Sequence, residues 1–282
     1  MKGLTVLAGA TIAVAISAYM IPAAANAGTL FIGADVKSFS GSLPDQLGVA
    51  TVSGATLVSE TNHATTFHIN GLTDVSGQNY LYAGDPFSGK INKVSYTGTL
   101  LGTISVPGIA TGCCNEDMIW TGTKLYHGQY GNGIQLIDTT TGAILSNQSQ
   151  PDVVGMSYVG GDIWITHWGA HQVGIWNPIT NAFTAKFSTP STAGGLAYDA
   201  AGGVMWVGLG GGSVVPYTLG GVALNAGFKP FGDNPDTIDG LAFLGEASHG
   251  VPEPSAWALL LAGFGGIGAA LRSRRKRVAA TA

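Results

Sequence analysis

The segment His167-Trp168-Gly169-Ala170-His171 places two imidazoles and an indole within five residues. Three intervening residues is a metal-ligand spacing when both histidines share a helix face, but across a hairpin turn the rings diverge. A packing role then competes with ligation. Trp168 offers a flat face on which a sugar ring can stack, or which can pack between elements. The carboxylates Asp85, Asp152 and Asp236 are candidates for an acid and base pair acting on a glycosidic bond, chemistry that needs separations of roughly 5–10 Å. Glu116 and His127 complete the set of candidate ligand-binding residues. Cys113 and Cys114 are the only cysteines. Adjacent Cα atoms lie about 3.8 Å apart, below the usual disulfide range, so a vicinal bridge is strained; free thiols or pairing between chains are the alternatives. No motif for a cofactor or a resident metal is present, and none is expected.

Whether these groups meet depends on the elements that carry them. The body is rich in glycine, and its apolar runs are short and bounded by Gly, Asn, Asp or Pro, the pattern of many short strands. Internal repetition divides it into units of four strands. Residues 154–159, 162–168, 172–177 and 183–188 form one unit. Residues 117–121, 124–129, 133–138 and 143–148 precede it, and 195–199, 204–209, 213–218 and 222–228 follow it. An earlier unit, 63–106, holds 80–83, 91–96 and 100–105. First strands read Gly155-Met156-Ser157-Tyr158, Gly195-Leu196-Ala197-Tyr198 and Gly240-Leu241-Ala242-Phe243, and second strands carry Tyr126, Trp164 and Trp206 at equivalent places.

This repetition resembles a β-propeller, one unit per blade. Residues 238–244 read as a first strand lacking a second, and 30–34 as a second strand lacking a first. Paired, they close an all-β ring of five four-stranded blades and remove its open edges. A β-sandwich or a solenoid is the competing architecture, and the unit at 28–60 has the weakest strand pattern. In such a blade, loops leading into first strands emerge on the same face as turns joining second to third strands. The former are assigned His63, 113–117, 151–152 and 234–236, and the latter Asp85, His127, His167 and His171. One end of the channel then collects the histidines and acids, and the aromatics Tyr80, Tyr82, Trp120, Tyr126, Trp164, Trp176 and Trp206 pack between blades. His68 is placed inside a first strand, with a structural role.

The two ends of the chain read as addresses. Lys2 precedes an apolar stretch from 4 to 21, and Ala25-Asn26-Ala27 has the small-x-small form of a signal-peptide cleavage site. Residues 1–27 are therefore expected to be a signal peptide, or else an uncleaved anchor. The body, 28–250, carries six lysines, no arginine and fifteen carboxylates, a net charge of −9. That excess repels phosphate backbones, so nucleic acid is excluded as a partner. After Pro252-Glu253-Pro254, the 17 uncharged residues 255–271 span about 25 Å as a helix, near the lower limit for a bilayer. Arg272, Arg274, Arg275, Lys276 and Arg277 follow, and such a cluster stays cytoplasmic.

Residues 251–277 resemble the PEP-CTERM sorting signal of exported bacterial proteins in their Pro-Glu-Pro triplet, their Trp257-containing Gly/Ala/Leu span and their terminal cations. The resemblance implies a transmembrane helix and basic tail within 251–282, processing near the triplet by an exosortase, and delivery to the cell surface or extracellular matrix. It gives a destination and no activity. Two functions fit: a surface- or matrix-sorted binding or structural protein, with extracellular polysaccharide as ligand, or an extracellular hydrolase or lyase using the His/Asp cluster.

Overall fold

The computed structural model describes residues 27–36, 46–109, 115–233 and 235–246, and the side chains of 34–36, 115, 235 and 236 are not among those described. The strands in chain order are β1 (Ala27–Val36), β2 (Gln46–Ser53), β3 (Thr56–Ala64), β4 (Leu72–Asp74), β5 (Leu81–Asp85), β6 (Lys90–Val94), β7 (Leu100–Ser105), β8 (Asn115–Trp120), β9 (Leu125–Gln129), β10 (Gly133–Ile137), β11 (Ile144–Gln148), β12 (Val153–Val159), β13 (Asp162–His167), β14 (Gln172–Asn177), β15 (Ala182–Ser188), β16 (Ala193–Asp199), β17 (Val204–Leu209), β18 (Ser213–Tyr217) and β19 (Pro235–Phe243). They form five antiparallel sheets. Blade one is β19-β1-β2-β3, blade two β4 to β7, blade three β8 to β11, blade four β12 to β15 and blade five β16-β17-β18.

The ring closes as its two ends require. Leu30 pairs with Phe243 and Phe31 with Ala242, so the last strand supplies the innermost position of blade one and β1 the second. Each interface between neighbouring blades has its own apolar cluster. Phe31 and Leu47 meet Leu72 and Leu81; Tyr82 and Ile91 meet Met118 and Leu125; Tyr126 and Ile134 meet Met156 and Trp176; Trp164 and Val173 meet Leu196 and Met205; Trp206 and Val214 meet Leu30 and Ile32. Five interfaces for five blades leave no gap in the circle. Trp176 and Trp206 are among the largest fully buried side chains, and burying an apolar side chain contributes about 1.5–3 kcal/mol.

Turn chemistry sets the register. Val159 pairs with Asp162 across Gly160-Gly161, whose φ angles of 60° and 105° are those a two-residue hairpin demands at both central positions.

Several expectations change, and residues assigned to loops lie in strands: Asp85 ends β5, Glu116 is in β8 and Asp236 in β19. Residues 222–228 form no strand; they meet blade five through the isolated bridges Val214 to Phe228 and Tyr217 to Ala223 instead of a continuous ladder. The carbonyl of Pro216 accepts from Leu224 N at 2.9 Å. A strand residue directs its N–H to the same side as its C=O, so proline removes a donor from that edge and breaks the ladder. His63 lies within β3, paired with Leu47, and not in a loop. His68 is an exposed loop residue against Phe87, with ring centroids 4.5 Å apart, and not part of a strand. The unit at 28–60 forms three regular strands. The signal peptide (apart from Ala27, the first residue of β1), Cys113, Cys114, Pro252, Glu253, Pro254 and the apolar run 255–271 lie outside the described residues, and among the described ones no helix is long and apolar enough to cross a membrane.

Candidate functional site

First strands run from an upper face, which carries the turns β5–β6, β9–β10 and β13–β14, to a lower face. The ring around the axis is built from Gly71, Asp117, Gly155, Gly195 and Gly240. A methyl group on Gly71 would sit 2.0 Å from the Glu116 carbonyl oxygen, one on Gly155 2.0 Å from that of Gly194, and one on Gly240 2.1 Å from that of Asn70. Inner strands approach so closely that four positions exclude any side chain. The fifth, Asp117, fills the centre with its carboxyl. Oδ1 accepts from Leu72 N at 2.8 Å, and Oδ2 from Met156 N at 3.1 Å and Leu196 N at 3.4 Å, which joins blades two, three, four and five. Full burial holds this acid well above the usual carboxylate range, against the opposing effect of those N–H donors.

Below it, Glu246 reaches back to the axis. Its Oε1 accepts from the Ser157 hydroxyl, from Tyr158 N at 2.9 Å and from Tyr198 N at 3.2 Å, and its Oε2 from Phe243 N at 3.4 Å. Burial pushes its pKa up to about 8. The neighbouring Gly245 N donates to Asp74 Oδ2 at 2.9 Å on blade two, and Tyr96 donates its hydroxyl to Asp74 Oδ1 at 2.8 Å.

The sequence-derived candidates fall into three environments. Asp152, His167, Trp168 and His171 come together on blade four. The Asp152 carbonyl accepts from Trp168 N at 2.8 Å, and the Trp168 carbonyl from His171 N at 3.2 Å. Asp152 Oδ2 lies 3.0 Å from where a methyl group on Gly169 would sit. The His167 ring stacks on Phe183, centroids 4.0 Å apart, and its buried Nε2 has no hydrogen-bond partner among the described residues. Burial lowers its pKa, and the Asp152 charge opposes that shift. Asp152 and His171 adopt left-handed backbone, φ 54° and 53°, a strained state for residues with side chains. Trp168 meets Tyr130 of the adjacent blade edge-to-face, centroids 6.0 Å apart and planes at 90°.

Asp85 serves its own turn, whereas Glu116 links blade three to the segment leading into blade two. Asp85 closes its own turn, Oδ1 accepting from Phe87 N at 3.0 Å, and it sits on blade two with blade three between it and Asp152. Glu116 is buried and accepts from Asn70 Nδ2 at 3.0 Å. His127, expected in a loop, lies within β9 and is fully buried. Its Nδ1 is 3.3 Å from Gln135 Oε1, and Gln135 Nε2 donates to Gln129 Oε1 at 2.9 Å. Burial pushes its pKa down to about 4, because β9 is hydrogen-bonded on both sides. Asp236 belongs to β19, its side chain outside those described. Among the described residues no three His, Cys, Asp or Glu side chains are grouped as a metal ion would need.

Glu246 and Tyr130 are not among the sequence-derived candidates, and Asp117 enters there only as the last residue of the loop 113–117. A signal existed for Asp117: it stands where the other first strands carry glycine. Tyr130 follows the end of its second strand as Trp168 does.

Comparison with known proteins follows the same division. No curated protein matches the sequence. A chain from the crystal structure of the nidogen/laminin complex aligns over 77% of this chain and 98% of its own, at 12% identity and a TM-score of 0.53. A protein of unknown function from Bacteroides caccae aligns over 77% and 99%, at 11% identity and a TM-score of 0.51. These likenesses concern the fold alone. A PEP-CTERM protein-sorting motif matches residues 250–276. That motif implies an exported protein, membrane-anchored before an exosortase processes it. The chain is a five-bladed β-propeller followed by a PEP-CTERM sorting motif.

Proposed function

We propose that this is a secreted propeller, 28–250, released from its signal peptide 1–27 and delivered by the tail 251–282 to the cell surface or matrix, where blades three and four bind extracellular polysaccharide. The observation that carries the reading is the Tyr130–Trp168 pair on the upper face, beside the strained residues Asp152 and His171. Unlike Trp164, Trp176 and Trp206, Trp168 is outside the interblade clusters, so packing leaves it available to a ligand. Sugar rings present apolar C–H faces to such aromatics, while polar groups beside them fix orientation. The body's negative charge favours neutral glycans over anionic ones. A glycan array gives the test: binding to neutral polysaccharide that falls at least tenfold in Trp168→Ala supports the reading, and no signal or unchanged binding removes it.

A second reading, a hydrolase or lyase, draws on Asp152 beside His167, whose lowered pKa leaves a neutral imidazole at pH 7. Turnover of polysaccharide by the wild type, lost in both Asp152→Asn and His167→Ala, would favour it over binding alone.

A further inference from the structure

The lower mouth of the ring is plugged by the residues that lead into the sorting motif. Glu246 engages blades four and five and Phe243 of blade one, while Gly245 engages Asp74 of blade two. The carboxyl that closes the axis therefore also fixes where the tail departs. Gly250, where the motif begins, is four residues on, at most about 14 Å away, and Ser255, where the apolar run begins, is nine residues on, at most about 30 Å.

The lower face suits a nearby lipid surface. Its described turns expose only Lys124, Asp138 and Asp162 as charged residues, among Gly, Thr, Ser and Asn. It also holds out Ile179, 92% exposed, on a turn in which Asn177 Oδ1 accepts from Ile179 N at 2.8 Å and Thr180 N at 3.1 Å. Inner strands and turns place the Asp152–Trp168 cluster at the opposite end of the blade, about 20 Å away for a six-residue strand such as β13.

We propose that the tail leaves on the propeller axis, so that in the anchored precursor the lower face rests on the bilayer and the upper face is presented outward. This rests on the sorting reading of the tail. It makes the anchored form competent to bind polymer before processing, because the candidate site faces away from the lipid.

The test uses the full chain with Cys113→Ser and Cys114→Ser, reconstituted through its own tail into phosphatidylethanolamine/phosphatidylglycerol vesicles carrying headgroup spin-labelled lipid. A fluorophore is attached at Thr180→Cys on the lower face or Ser88→Cys on the upper, both exposed. Quenching at 180 several-fold stronger than at 88 is expected. A 20-residue Gly/Ser insertion after Ala247, adding an end-to-end distance of about 25 Å, should erase the difference. Equal quenching, or stronger quenching at 88, overturns the orientation while leaving anchoring intact. A difference that survives the insertion overturns the axial tether as its cause. Failure of the chain to float with the vesicles removes the anchored tail itself, and the orientation with it.

Discussion

The wall of blade three and the axis of the ring bury titratable groups in opposite ways. In the wall, His127 gives up its charge by a pKa pushed down to about 4, with Gln135 as its polar neighbour. On the axis, Glu246 gives up its charge by a pKa pushed up to about 8, with a hydroxyl and three backbone N–H groups around it. Removing water from either group favours its neutral form, so the same burial moves a base and an acid in opposite directions. The axis differs in a second respect. Its acids satisfy backbone donors of several blades at once, whereas the wall histidine lies against a side chain of its own blade, Gln135.

The largest expected effect is at the hub. Asp117→Ala orphans the N–H groups of Leu72, Met156 and Leu196 in a space closed to water. At about 1–3 kcal/mol for each unsatisfied buried group, the loss is on the order of 3–9 kcal/mol, a large part of a typical domain's stability of about 5–15 kcal/mol. Urea unfolding measures it, and a loss below about 1 kcal/mol would deny the axis its bridging role.

Glu246→Ala should cost somewhat less, on the order of 2–4 kcal/mol by the same reasoning, since its bonds from Tyr158 N and Tyr198 N are only partly buried, whereas all three to Asp117 are buried. Its pH signature is the sharper test. The folded pKa lies above the unfolded value of 4.5, so the stabilisation is complete below about pH 4.5 and is lost as pH rises through about 8. Urea midpoints between pH 5 and 9 should fall in the wild type and fall less in Glu246→Gln, which keeps a neutral side chain of the same shape.

His127 should show the reverse trend. Its folded pKa is depressed below 6.5, so its contribution is present above that value and lost as pH falls through about 4. His127→Gln should lessen the drop in midpoint between pH 7 and 4; an unchanged acid limb would mean the wall does not govern it. The smallest stability effect is expected outside both regions, at Trp168→Ala, where losing the edge-to-face contact with Tyr130 costs about 0.5–1.5 kcal/mol. Thermal unfolding of this variant near the wild-type temperature, together with lost glycan binding, would separate the pair of half-buried Trp168 and exposed Tyr130 from the structural core.

Strand placement was most legible where turns carry their own signals. The limits of β14 and β17 match the sequence expectation, and β12, β13 and β15 differ by one residue at one end, because Gly160-Gly161 and the Asn and Pro turns punctuate blade four locally. The outer edge of blade five is not legible along the chain, because 222–228 has strand composition while the obstacle, Pro216, lies on the neighbouring strand. His127 was assigned to the site from its residue type and its proximity to a turn; its place between two hydrogen-bonded neighbours makes it a wall residue. Asp152, His167, Trp168 and His171 were found together because a single hairpin and the chain leading into it contain them.

The order of short strands, the glycine-bounded turns, the closing pair of half-blades and the sorting tail were all determined along the chain, because each depends on neighbours within a few residues or on a repeated pattern. The assignment of Asp117 and Glu246 to the axis was decided only in three dimensions. Their hydrogen-bond donors, Leu72, Tyr158 and Leu196, lie 45, 88 and 79 residues from the accepting acids. Only a closed ring brings such donors around one point from which water is excluded, and there a carboxyl becomes a neutral bolt instead of a surface charge.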